Sequence, residues 1–207
     1  MTLRPLLFAF VLFSVCTQAG EVGIAARVND AEISNFRLER YFADYLAAQG
    51  RNLAAIRDPR TYQRLRRAAL NDLIDKELLR QEAERRGVRA DEDEVRAQLE
   101  ALRGAFRSPE AFARRLQESG FDEAGYADYL RDEQVARRLL NQLSEAPAPD
   151  ENDLRLFLEQ NPALPARSEQ ELARARELLR AQRQAGAARA ALSRMRAASR
   201  IDVARGI

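Results

Sequence analysis

From residue 22 the chain opens on an alternation of period two. In "VGIAARVNDAEIS" apolar and polar positions exchange around the turn dipeptide Asn29-Asp30. That pattern predicts a short β-hairpin, with Ile24, Ala26 and Val28 on one face of its first arm and Ile33 ending the second. The period then changes to that of a helix. Phe36, Leu38, Tyr41, Phe42, Tyr45 and Leu46 recur every three or four residues between Ser34, a good N-cap, and Gly50, a good stop.

The same grammar repeats down the chain. Asp58-Pro59 starts a long helix that runs to Arg86 before Gly87, with Tyr62, Leu65, Ala69, Leu70, Leu73, Ile74 and Leu78 as its stripe. Asp91 with Glu94 opens a third helix on a seam of Val95, Leu99 and Leu102. Ser108-Pro109 opens a fourth, packed through Phe112 and Leu116 and stopped by Gly120. Asp122 caps a fifth, with Tyr126, Leu130, Leu139, Leu140 and Leu143 as its core positions. Asp150 caps a short sixth that carries Leu154, Phe157 and Leu158 up to Asn161-Pro162. After Pro165, the S-x-x-E box of Ser168 and Glu171 begins a last long helix reaching about Ser199.

That last helix is rich in Ala and Arg and thin in apolar side chains, and it is followed by "RIDVARG", which alternates like a strand. A lone strand needs a partner, and the other predicted strands lie at the opposite end. The two ends of the chain are therefore expected to meet. The fold class is mainly α, a helical body with a small β-sheet formed by the N-terminal hairpin and the C-terminal strand.

Composition agrees with helix: 46% of the 207 residues are hydrophobic, 32% are charged, and there are only 9 Gly and 7 Pro. The net charge of +2 points to no particular partner. The absence of His removes the commonest general base and neutral metal ligand. The single cysteine, Cys16, excludes an internal disulfide. Residues 1–19, with Arg4, an apolar run from Leu6 to Val15 and small residues at Thr17 and Ala19, read as a secretory signal peptide. The run is too short to span a bilayer, which takes about 20 residues. An uncleaved anchor, or a lipoprotein using Cys16, are the weaker readings, since Val15 stands where a small residue belongs. The processed chain is then expected to be exported, with no integral membrane segment.

Two features invite sharper readings. The segment from Ser168 onward holds nine Arg against three Glu and one Asp, which could meet nucleic acid phosphates or an anionic membrane face. Export argues against nucleic acid, and a solvated helix face explains the same charges. The acidic clusters Asp91–Glu94 and Asp150–Asp153 sit at helix starts, where carboxylates favour the dipole. Neither has the glycine and distal glutamate of a calcium loop, so neither a metal nor any other cofactor is expected.

The stretches "ARVNDAEISNFRLERY", "RLRRAALNDLIDKELLRQEAERRGVRADEDEV" and "SPEAFARRLQESGFDEAGYADYLRDEQVARRLL" resemble the N-terminal chaperone domain of SurA-type periplasmic proteins over residues 22–161. The closing "LSRMRAASRIDV" resembles the returning helix and strand of the same family. The resemblance implies a chaperone domain over residues 20–161, completed by residues 168–207. In such proteins a parvulin prolyl isomerase domain lies where this chain has only the joint 162–167, "PALPAR". No isomerase residue is carried over, and no enzymatic activity is expected.

What the resemblance implies is an ATP-independent holdase for unfolded or nascent exported proteins, outer-membrane proteins among them. Such a surface needs accessible aromatic side chains, and the candidates are Phe36, Tyr41, Tyr45, Phe106, Phe112, Phe121, Tyr126, Tyr129 and Phe157. Each also fits ordinary core packing; Phe106 and Tyr129 lie beside or off the main stripes. The alternative is a dedicated assembly factor or scaffold of one envelope secretion or polysaccharide system, with a homodimer among its arrangements.

Overall fold

The computed structural model describes residues 23–205. The expected signal peptide and Cys16 lie outside the described residues. The described elements run β1 (Ile24–Val28), β2 (Ala31–Ser34), α1 (Asn35–Ala48), α2 (Pro59–Arg85), α3 (Glu92–Gly104), α4 (Pro109–Glu118), α5 (Glu123–Leu143), α6 (Glu151–Gln160), α7 (Glu169–Ala197) and β3 (Ile201–Val203). A 3-10 turn, Leu53–Ala55, lies between α1 and α2. The mainly helical class with a small sheet is the observed one.

Each helix starts where a short polar side chain takes up its free amides. Ser34 accepts from the Arg37 amide, Asp58 from Arg60 and Thr61, Ser108 from Ala111 and Asp122 from Gly125. Asp150 with Asp153, and Ser168 with Glu171, make reciprocal capping boxes. At Asp91 only the forward half forms, through the amides of Asp93 and Glu94.

The sheet has the order β2-β1-β3, both neighbours antiparallel to β1. The C-terminal strand therefore joins the hairpin, with Val28 opposite Ile201 and Ala26 opposite Val203. One expectation is corrected. Ile24 pairs with Ser34 while Ala26 pairs with Ile33, so Ala25 is an extra residue in β1. This bulge breaks the alternation: Ala25 is fully buried, and Ile24 is 38% exposed instead of sharing the face of Ala26 and Val28.

Asn29 ties this sheet to the helices. It adopts φ 54°, the left-handed region that Asn tolerates better than most residues. Its amide donates to the Arg200 carbonyl at 2.7 Å, and its side-chain oxygen accepts from the Arg200 amide at 3.0 Å. Its Nδ2 donates to Gln81 Oε1 at 2.7 Å, and Gln81 in turn donates to the Val28 carbonyl at 3.1 Å and to Glu77 at 2.9 Å. Glu77 is buried, with Arg80 at 2.7 Å and Arg37 at 3.8 Å. Burial pushes its carboxyl pKa up, but the hydrogen bonds from Arg80 and Gln81 outweigh that and hold it below the usual glutamate value.

The main core lies between the sheet, α1 and α2. Leu38, Phe42 and Leu46 meet Leu65, Ala69, Leu70, Leu73 and Ile74, with Ala25, Val28 and Ile33 above them. Phe42 packs edge-to-face on Tyr62 at 5.4 Å. A second cluster joins Leu79 and Ala83 of α2 to Ala136 and Leu139 of α5, with Leu192 and Met195 of α7 against it. A third joins α6 to the first half of α7. Helix α7 buries little beyond Ala175, Leu179 and Ala191. It is held to α2 by Arg196, which reaches Asp75 at 2.6 Å and the Asn71 carbonyl at 2.8 Å. At its other end Arg176 reaches Glu151 at 2.6 Å, and Arg183 pairs with Asp153.

Candidate functional site: an aromatic cleft on the helical flank

Helices α1, α4 and α5 and the end of α3 enclose a cleft of about 420 Å³. Its residues come from the sides of these helices that the cores do not use. On α4 the short amphipathic stripe turns Phe112 and Leu116 inward, both nearly fully buried, so they form the floor. Phe106, in the link before α4, stands half-buried against Phe112 with ring centres 5.8 Å apart.

The opposite wall is a three-ring cluster. Phe121, Tyr126 and Tyr129 lie 5.4 to 5.7 Å from one another, all half-buried. Asp122 starts α5 between them, which places Tyr126 and Tyr129 one turn apart on the face toward Phe121. The Arg40 guanidinium of α1 sits 4.0 Å over the Phe121 ring and 5.3 Å from Tyr129. Cation–π contacts of this kind contribute about 0.5–2 kcal/mol.

Electrostatics keep these side chains in one state. Burial pushes the Tyr129 phenol up to about 12, the Glu133 carboxylate adds to the rise and Arg40 opposes it. Burial and then Asp44 also raise Tyr126. Burial lowers Arg40, and Tyr129 counters that. Near neutral pH the cleft therefore presents neutral phenols and the guanidinium groups of Arg40 and Arg115, with Asp44 and Glu118 beside them. Such a surface can accept apolar and aromatic side chains while offering hydrogen bonds to an extended backbone.

The nine candidate aromatics do not form one group. Phe106, Phe112, Phe121, Tyr126 and Tyr129 line the cleft. Phe36 is 55% exposed and lies across Gly120, where a Cβ would come within 2.4 Å of its ring. Gly120 also holds φ 76°, so glycine is required there twice over. Tyr41 and Tyr45 belong to the α1–α2 junction, packed against the main core. The Tyr41 hydroxyl hydrogen-bonds Asp72, and Lys76 Nζ stands 4.9 Å from its ring centre. Burial, with that hydrogen bond, raises the Tyr41 phenol strongly. Phe157 stands apart, buried with Leu154, Ala175 and Leu179 between α6 and α7.

Two features escaped the sequence reading. Arg40 is one, although its place one turn after Phe36 and one turn before Asp44 is a readable signal. The other is a second apolar cleft, about 530 Å³, where Leu164 and Pro165 of the joint face Ala175 and Leu178 of α7. Among the described residues no cluster of His, Cys, Asp or Glu could hold a metal ion, and no helix is long and apolar enough to cross a membrane.

A helical body closed by one sheet, carrying an aromatic cleft on its flank, defines the class. The family model of the SurA-like N-terminal domain matches residues 3–140, more than half of the chain, and the chain belongs to that family. The match ends within α5, so α6, α7 and β3 lie beyond it. No curated protein matches the chain. Helices α6 and α7 are joined directly by residues 161–168.

Proposed function

We propose that the chain is an ATP-independent periplasmic holdase that binds unfolded exported proteins, outer-membrane proteins among them, and performs no catalytic step. The observation that carries this reading is the cleft itself. Phe106, Phe121, Tyr126 and Tyr129 keep part of their ring surface accessible around a 420 Å³ space. Family membership supports the same reading, as does the lining, which sets accessible aromatic rings beside charged side chains at its border and so offers apolar contact without one fixed shape to match. Export would follow from the N-terminal leader, and neither nucleotide nor cofactor is needed.

The test is suppression of aggregation of two unfolded outer-membrane proteins and one unrelated soluble client. The expected result is suppression of all three at near-stoichiometric amounts, lost when Phe121, Tyr126 and Tyr129 are replaced together by Ser. Suppression of none would overturn the reading and favour a dedicated factor with one envelope partner. Undiminished suppression by the triple variant would move the client site away from the cleft.

A further inference from the structure

Four exposed arginines before and within the first turns of α2 have no ion-pair partner among the described residues. Residues 51–71 hold six arginines and one acid, Asp58, which caps α2 and whose charge also reaches Arg64, while Arg66 pairs with Glu39 at 2.7 Å. Arg51, Arg57, Arg60 and Arg64 are all exposed, and none of them forms an ion pair with a described residue. The second half of α2 is the opposite: Arg80, Arg85 and Arg86 are each matched by Glu77, Glu82 or Glu84 on the same helix. Arg60 and Arg64, one turn apart, share a shallow depression of about 380 Å³ with Gln63 and Asn71.

A second observation decides the partner. Leu53, which opens the 3-10 turn six residues before Pro59, is 47% exposed and is flanked in sequence by Arg51 and Arg57. An exposed leucine among arginines suits a lipid interface, where the apolar side chain enters the acyl boundary and guanidinium groups bind phosphates. A soluble polyanion would engage the charges and leave Leu53 without a role. We propose that this end of α2 docks the protein on an anionic phospholipid surface. The depression beside Arg60 and Arg64 shares no lining residue with the aromatic cleft.

The experiment is co-sedimentation of the chain from residue 20 onward, which keeps every described element, with vesicles. One set contains phosphatidylglycerol in phosphatidylcholine, the other phosphatidylcholine alone. Binding to the anionic set only, weakening as salt rises, is expected. Replacing Arg57, Arg60 and Arg64 by Gln should reduce it about tenfold or more, since each arginine near such a surface is worth about fivefold. Leu53→Ser should reduce it several-fold with all charges kept. Replacing the exposed Arg180, Arg189 and Arg194 of α7 by Gln, the same change in net charge, should leave it near wild type. Thermal melts of each variant confirm the fold. Absence of binding to anionic vesicles overturns the proposal, as does an equal loss in the α7 variant. Heparin binding stronger than vesicle binding and indifferent to Leu53→Ser would overturn it in favour of a soluble polyanion.

Discussion

Helix α1 borders both the sheet-capped core and the aromatic cleft, and its two faces are built differently. Toward the core, Leu38, Phe42 and Leu46 are at most 1% exposed and meet aliphatic side chains of α2 and the sheet. Toward the cleft, Arg40 covers rings that remain half-buried, and Phe36 rests on a glycine with most of its surface in water. An aromatic on the core side is held by surrounding aliphatic atoms. On the cleft side the rings are held by one another and by one guanidinium, which leaves their edges free for a visitor. One helix thus combines a packed face that fixes its position with a loosely covered face whose rings keep part of their surface in water.

The strongest way to break this contrast is Phe42→Ala. It should cost about 3–5 kcal/mol, as large-to-small changes in a close-packed core do, read from urea unfolding. Phe121→Ala should cost less than half as much; equal losses would show that the cleft rings are as tightly packed as the core. Next in size is removal of residues 200–207. This strips β3 and its hydrogen bonds to Asn29 and Ala25, for an expected loss of about 2–3 kcal/mol at about 0.5–1.5 kcal/mol per bond. An unchanged melting temperature would refute the pairing of the ends.

Gly120→Ala should cost about 1–2 kcal/mol, through the positive φ and the displaced Phe36 ring. Its particular signature is a change in client suppression without loss of the core, because Phe36 moves and Phe42 does not. The smallest effect concerns pH. The carboxyl of Glu77 is held below the ordinary value near 4.5, so its contribution is fully present above that value and is lost as pH falls through the folded pKa. Glu77→Gln should flatten the stability profile below about pH 4.5. An unaltered profile would assign acid sensitivity to other carboxylates.

The helical half of this architecture was legible because it is written locally. Ser34, Asp58, Asp91, Ser108, Asp122, Asp150 and Ser168 were readable as caps, and each caps a helix in the structure. The pairing of ends followed from a strand with no local partner. What stayed hidden depends on distant residues. The extra residue at Ala25 arises from pairing with Ser34 and Ile33 and leaves no mark in the alternation. Gln134 reads as a surface residue of α5, yet it is buried and accepts a hydrogen bond from the Asp91 amide. Likewise Phe112, Phe121 and Phe157 look alike in sequence. The first is the floor of the cleft, the second its wall, and the third is core between α6 and α7. Spacing assigns a ring to a helix face, but only the neighbouring helix decides how deeply that face is covered.

The central position of β1 has a consequence for how the chain is made. Asn29 and Arg200 are 171 residues apart, so the contact between β1 and β3 is among the least local in the domain, and the entropy of loop closure must be offset before it forms. Until it forms, one edge of β1 has no strand beside it, while α1 and α2 can already pack. The sheet is therefore completed late, and a chain truncated before Ile201 would carry a helical core with an open β edge. Quality control that recognises unpaired strand edges would distinguish such a product from the full-length protein.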